Sequence, residues 1–234
     1  MTTTSPALDV LRRGEVTVRG RLPAASNGTF LVDVRLDRAR ALAVYKPARG
    51  ERPLWDFPPG LFKREVAAYL LSEALGWGLV PVTIAREAPY GEGSLQLFVD
   101  ADFEQHYFTF GDDPAHRDRL QRLCAFDIVA NNADRKGGHC LLGRDGLVYA
   151  IDNGLSFHVE RKLRTVVWAF AGEAIPEPVL ADLDRFATAP LPEALAALLG
   201  PDEQEALLAR TRALRRSGRF PRERGGRHYP WPLV

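Results

Sequence analysis

Residues 131–142, Asn-Asn-Ala-Asp-Arg-Lys-Gly-Gly-His-Cys-Leu-Leu, and residues 149–157, Tyr-Ala-Ile-Asp-Asn-Gly-Leu-Ser-Phe, decide how this chain is read. Each places a carboxylate in a loop: Asp134 after an apolar helical run, Asp152 at the end of a short strand-like run. Between them Arg144-Asp145-Gly146 carries an Asp-Gly pair, a strong hairpin signal, so the runs 140–143 and 147–152 should fold back and bring both loops to one edge. A phosphoryl donor carries several negative charges and divalent ions. Its site needs carboxylates for metal, a cation for the transferred group and a group that positions the acceptor. Asp134 and Lys136 supply the last two, and Asn153-Gly154 makes a turn from which Asp152 can reach metal and phosphate oxygens.

Working upstream, residues 15–22, 29–36 and 41–46 alternate as strands of an antiparallel meander, and a Pro-rich loop follows from Lys46 to Gly60. Residues 61–78 then carry apolar positions at helical spacing, with a stop at Gly76. Two more strand-like runs, 79–87 and 94–100, flank a turn at 88–93. Lys46 ends a strand, where its ammonium can reach nucleotide phosphates, and Glu65 lies early on the helix, where it can hold that lysine. The turn Ser26-Asn27-Gly28-Thr29 is a candidate phosphate cover through its backbone amides, with an ordinary hairpin as its other reading.

Downstream the character turns helical. Residues 113–132 read as a capped helix, and 161–170, 176–187, 192–199 and 202–217 as further helices bounded by Pro or Gly. From Gly218 a basic tail rich in Gly and Pro should be mobile or docked on the surface, with Tyr229 and Trp231 available to pack on the body. The expected organisation is a sheet-and-helix lobe over 10–103, a helical lobe with the two loops over 104–217, and a tail over 218–234. The fold class is α+β.

Composition limits the alternatives. The chain has 234 residues, 46% hydrophobic, enough for a real core. Thirty-one basic and thirty acidic residues give a net charge of +1, which leaves no footprint for a nucleic-acid partner. Cys124 and Cys140 are too few for a disulfide framework and sit in apolar runs, which points to a reducing cytoplasm. No window has the length of a transmembrane segment, and the first residues lack the pattern of a secretory leader. Lysine occurs only at 46, 63, 136 and 162, and two of these fall in the candidate site.

AVYKP (43–47), REVAAYLLSEALG (64–76), DIVANNADR (127–135) and AIDNGLSF (150–157) occur in the order used by phosphatidylinositol 3/4-kinase-like proteins. The sequence most resembles type II phosphatidylinositol 4-kinases and a small related actinobacterial family, and more distantly HipA-type serine kinases. The resemblance covers residues 20–170. It implies a bilobal protein-kinase-like fold, ATP as cofactor with Mg²⁺ or Mn²⁺, Lys46, Glu65, Asp134 and Asp152 in functional positions, and a lobe crossing at Gln96, Phe98 and Val99 that holds adenine through backbone groups. Ile151 would floor the base. Asp152 would hold metal, and His139 stands where the family usually has a metal-binding asparagine. An imidazole nitrogen suits Mn²⁺ or later metals better than Mg²⁺.

The expected activity is therefore phosphoryl transfer from ATP to a hydroxyl acceptor, which is a lipid, a protein or a small molecule. The alternative that His139 keeps open is a nucleotide-binding pseudokinase acting as a regulatory or interaction module.

Overall fold

The structure, a computed structural model, describes residues 6–22, 28–222 and 228–234. The chain opens with a short helix, α1 (Pro6–Arg13), and continues into β1 (Glu15–Arg21), β2 (Phe30–Leu36) and β3 (Ala39–Pro47). After the 48–60 loop comes α2 (Leu61–Leu75), followed by β4 (Thr83–Ala88) and β5 (Gly91–Leu97). The five strands form one antiparallel sheet in the order β1-β2-β3-β5-β4. Strand alternation puts Val32, Val34, Ala43, Tyr45 and Leu95 in a small core, and Val10 and Leu11 of α1 complete it. Nothing in the sequence announces α1, because eight residues with Leu8, Val10 and Leu11 as the large apolar positions make too short a pattern to register.

Helix α2 ends where expected: Gly76 takes φ 74° and its N–H turns back to the Ser72 and Glu73 carbonyls. Its start is less conventional. Gly60 has no capping side chain, and the Glu51 carboxylate accepts instead from the Gly60 N–H at 2.9 Å and the Phe62 N–H at 2.7 Å. The loop and the helix are thereby tied together.

The second half contains α3 (Tyr107–Phe110), α4 (Arg117–Ala130), the hairpin β6 (Cys140–Leu142) and β7 (Val148–Ala150), then α5 (Glu177–Thr188), α6 (Glu193–Ala196) and α7 (Pro201–Ser217). One large core runs from α2 through α4, the hairpin and α5 to α7. No helix among the described residues is long and apolar enough to cross a membrane.

Residues 161–170 are not the helix that the sequence suggests. Leu163, Val166, Val167 and Phe170 are buried and have helical spacing, but they reach the core from an irregular chain. Its backbone groups are taken by the loop after α4: Arg164 N–H donates to the Asn132 carbonyl at 2.9 Å, Arg135 N–H to the Arg164 carbonyl at 3.0 Å, and Val166 N–H to the Arg135 carbonyl at 3.1 Å. A helix could not make those bonds and its own. The tail docks. Phe220 is buried, Arg219 bridges to Ala174, and Tyr229 is about half covered and Trp231 largely exposed while the backbone of 228–234 meets the body.

Candidate active site

A cleft of about 700 Å³ opens between the sheet and the loops that follow α4 and β7. Lys46, Glu65, Gln96, Phe98, Val99, Asp134, Ile151 and Asp152 all line it, although 106 positions separate Lys46 from Asp152. The end of β3 delivers Lys46 and one turn of α2 delivers Glu65. The ammonium contacts Glu65 Oε1 and donates to Asp152 Oδ1 at 2.8 Å. Glu65 Oε2 accepts from the Asn153 N–H at 2.9 Å, so one carboxylate holds both the lysine and the loop. Burial acts to lower the Lys46 pKa, but the attraction of Asp152 and Glu65 outweighs it and the pKa rises. The same ammonium holds the Asp152 carboxyl well below the usual range, against burial and with help from His139.

Asp152 itself takes the left-handed conformation, φ 55°, a region that Asp tolerates better than most residues. Sequence reasoning assigned the turn's freedom to Asn153-Gly154, whereas the unusual backbone angle sits on the carboxylate-bearing residue. Asn153 and Gly154 have other uses: Asn153 Oδ1 accepts from Arg135, and a Cβ on Gly154 would lie 3.4 Å from Glu65 Oε1.

The loop after α4 begins at Asn131, whose φ of 56° ends the helix. Asn132 Oδ1 accepts the Asp134 N–H at 2.9 Å and turns the Asp134 carboxylate into the cleft, 3.6 Å from Lys136 Nζ. Burial pushes the Asp134 pKa up to about 6, with Lys136 opposing and Asp152 adding to the rise. Arg135 points the other way and is fully buried. It donates to both Asp127 oxygens, to the Ile151 carbonyl at 2.7 Å and to Asn153 Oδ1 at 2.5 Å. Thr165 donates to the same Asp127 at 3.0 Å. One guanidinium thus fastens the Asp134 loop to the Asp152 loop. In the sequence the only signal for Asp127 as its partner is a lone acid inside the apolar run Cys124–Ala130.

His139 Nδ1 lies 2.9 Å from the Asp134 carbonyl and 3.4 Å from the Lys136 N–H. The shorter contact governs: a carbonyl can only accept, so Nδ1 carries the proton and Nε2 a lone pair. Nε2 faces Asp152 Oδ2 at 3.4 Å. Burial lowers the His139 pKa to about 4, although Asp152 works against the fall, so the ring is neutral near pH 7. Two electron-rich atoms, one imidazole nitrogen and one carboxylate oxygen, therefore face each other beside the cleft, which Asp152 lines and His139 and Lys136 do not. This donor pair would suit a divalent ion, which would need further ligands from outside the two side chains. Among the described residues no group of three or more His, Cys, Asp or Glu side chains forms a metal cluster.

At the opposite end Leu22, Leu31, Val44, Leu97, Leu141 and Ile151 give the cleft apolar walls. Sequence reasoning missed most of these, because strand residues facing a cleft look like strand residues facing a core. Gln96 sits in register between Val44 of β3 and Thr83 of β4 inside the sheet, and its side-chain amide donates to Thr83 Oγ1 at 2.9 Å. Phe98 N–H is donated to the Leu42 carbonyl at 2.9 Å. The Val99 backbone has no partner among the described residues, so of these three positions it offers the open donor and acceptor.

Ser26 and Asn27 lie outside the described residues. Gly28 and Thr29 line the cleft, but the Gly28 N–H is donated to the Gly50 carbonyl at 3.0 Å and is not open to a phosphate in this arrangement. A Cβ on Gly28 would come within 3.2 Å of Gly50 Cα, so the pair needs glycine on both sides.

Protein Rv2133c of Mycobacterium tuberculosis is 45% identical over 260 aligned positions, which cover 95% of this chain and 94% of that protein. This chain belongs to the Rv2133c family. No family model matches the sequence. Among solved structures, hydra Fam20 with sugar superposes with a TM-score of 0.59 at 14% identity, covering 92% of this chain and 89% of that one. The Helicobacter pylori proinflammatory kinase CtkA gives 0.49 at 11% identity, over 88% and 93%. The Fam20 likeness shows a kinase-like fold for this member of the Rv2133c family: an antiparallel sheet of five strands with one long helix, set against a mainly helical part.

Proposed function

We propose that this protein is an ATP-dependent phosphotransferase that passes a phosphoryl group to a hydroxyl acceptor with a divalent metal, Mg²⁺ or Mn²⁺. The carrying observation is the convergence of Lys46, Glu65 and Asp152 on one end of a cleft that also exposes Asp134, on a kinase-like fold. The resemblance to phosphatidylinositol 3/4-kinase-like proteins agrees with this reading. In the proposal adenine lies between the apolar walls and bonds to Val99, while Lys46, held by Glu65, neutralises phosphate charge. Asp152 and His139 Nε2 would hold the divalent ion, which would supply charge neutralisation at the phosphates.

Asp134 orients the acceptor hydroxyl and takes its proton, and a carboxyl raised to about 6 suits a base working near neutrality. Lys136, 3.6 Å from it, balances the charge of the group in transfer.

A thermal-shift titration with ATP and Mg²⁺ or Mn²⁺, followed by ATP consumption with the wild type and Asp134→Ala, tests this. Stabilisation by nucleotide with turnover that Asp134→Ala abolishes is expected. Binding without Asp134-dependent turnover points to a nucleotide-binding pseudokinase, a reading favoured by one feature, the His139 imidazole where the phosphatidylinositol 3/4-kinase-like family that the sequence resembles usually has an asparagine. No stabilisation by any nucleotide–metal pair would sink both.

A further inference from the structure

Residues 228–234 lie against the loop that carries Lys136 and His139. The His228 carbonyl accepts from the Thr165 N–H at 3.0 Å and from the Trp168 indole N–H at 3.3 Å. Five residues on, the Leu233 carbonyl accepts from the Gly137 N–H at 2.7 Å. Gly137 begins the 3₁₀ turn Gly137–His139, and the first amides of such a turn have no internal acceptor. Leu233 supplies one. The fit is close: a Cβ on Gly137 would meet the Phe108 ring at 3.0 Å and the Leu233 oxygen at 3.4 Å, and one on Gly138 would touch Val234 at 3.7 Å.

The two anchor points are not arbitrary. Thr165 belongs to the strand-like segment whose bridge to Arg135 fixes the loop from one side, and Gly137 precedes His139 by two residues. The segment therefore spans both parts of the frame that sets Lys136 and His139. None of its residues lines the cleft, so it does not act by filling it. Pro230, which is buried, and Pro232 restrict the free chain and reduce the entropy lost on docking an extended segment with few hydrogen bonds.

We infer that His228–Val234 is a positioning clasp: by holding Gly137 and Thr165 together it fixes Lys136 and His139 at the metal–phosphate end of the cleft. It is not a strap that restrains activity. The inference rests on the reading of the site given above, and its test separates the two.

Hydrogen exchange of nucleotide-free protein reports the clasp without any ligand. Deleting 228–234 should speed exchange of the amides at 137–140 about fivefold, as expected for one lost backbone hydrogen bond. It should also weaken binding of ATP with Mn²⁺ about tenfold, the scale found when support behind a metal ligand is removed. Gly137→Ala, which drives the loop against Phe108 and Leu233, should move both readouts the same way and serves if the deleted chain does not fold. Trp168→Phe, which removes one donor to His228, should give a smaller effect of the same sign. Unchanged exchange would overturn the clasp, as would faster exchange with unchanged or tighter binding. If the wild type binds no nucleotide, the phosphotransferase reading fails, and the exchange arm alone decides whether the loop is held.

Discussion

Glu65 joins Lys46 to the backbone of Asn153: one carboxylate oxygen contacts the ammonium and the other accepts the Asn153 N–H at 2.9 Å. The helix that carries Glu65 is consequently fixed to the sheet and to the Asp152 loop at once. Glu65→Gln keeps the size and one acceptor but gives up the charge, while Lys46 retains Asp152. The expected cost is about 2 kcal/mol, within the range for hydrogen bonds to charged groups, measured by urea unfolding. Nucleotide affinity should fall with it.

Arg135 and Asp127 are both fully buried, 3.0 Å apart. Arg135→Met should destabilise by about 3–5 kcal/mol because it leaves Asp127 without its counter-ion. The double variant Arg135→Met/Asp127→Leu should be less destabilised than Arg135→Met alone. A double-mutant cycle followed by denaturant unfolding checks this, and strict additivity would contradict the coupling.

The Asp134 carboxyl is raised from an ordinary 3.8 to about 6. At this group the folded chain binds more protons than the unfolded chain between those values, so its contribution to stability falls as pH rises from about 4 to about 6 and stays lower above that, while His139, lowered to about 4, contributes in the opposite sense over the same window. Asp134→Asn removes the titration. Its Tm should exceed that of the wild type at pH 7–8, and the gain should vanish near pH 4. A gain that is the same at both pH values would refute the assignment.

His139 presents a neutral nitrogen donor beside Asp152 Oδ2 at 3.4 Å. His139→Asn replaces it with a hard amide oxygen, so the preference between Mn²⁺ and Mg²⁺ should move toward Mg²⁺. Calorimetric titration of each ion in the presence of a non-hydrolysable ATP analogue measures the ratio. An unchanged ratio would show that the imidazole is no ligand.

Glu51 caps α2 from outside the helix, through the N–H groups of Gly60 and Phe62. Glu51→Ala should cost about 1 kcal/mol, as other lost caps do. Since the helix carries Glu65, affinity for nucleotide should also weaken, and thermal unfolding with and without ATP reads both effects.

Much of this arrangement was legible in the sequence where a signal was local. Gly76 stopped its helix, Asp145-Gly146 turned its hairpin, and Lys46 stood at a strand end. The site's order along the chain did the rest. What escaped was set by partners distant in sequence. Leu163, Val166, Val167 and Phe170 mimic a helix because burial alone produces the period, and only the backbone bonds to Asn132 and Arg135 forbid it. Gly28 reads as an open turn until Gly50 approaches it, and nothing near Glu51 in the sequence announces that it caps a helix nine residues away.

Helix α4 ends at Ala130, four residues before Asp134, and its buried face is keyed into the core by Leu120, Leu123, Cys124 and Phe126. That makes the helix a ruler for the cleft. One residue inserted among 117–130 would turn everything beyond it by about 100° and advance it by about 1.5 Å. Asp134 would then face away from Lys46 with every local contact of its own loop preserved. Length in this helix is consequently under a constraint that point substitutions never meet, and insertions or deletions should be tolerated in the exposed loops but not between Arg117 and Ala130.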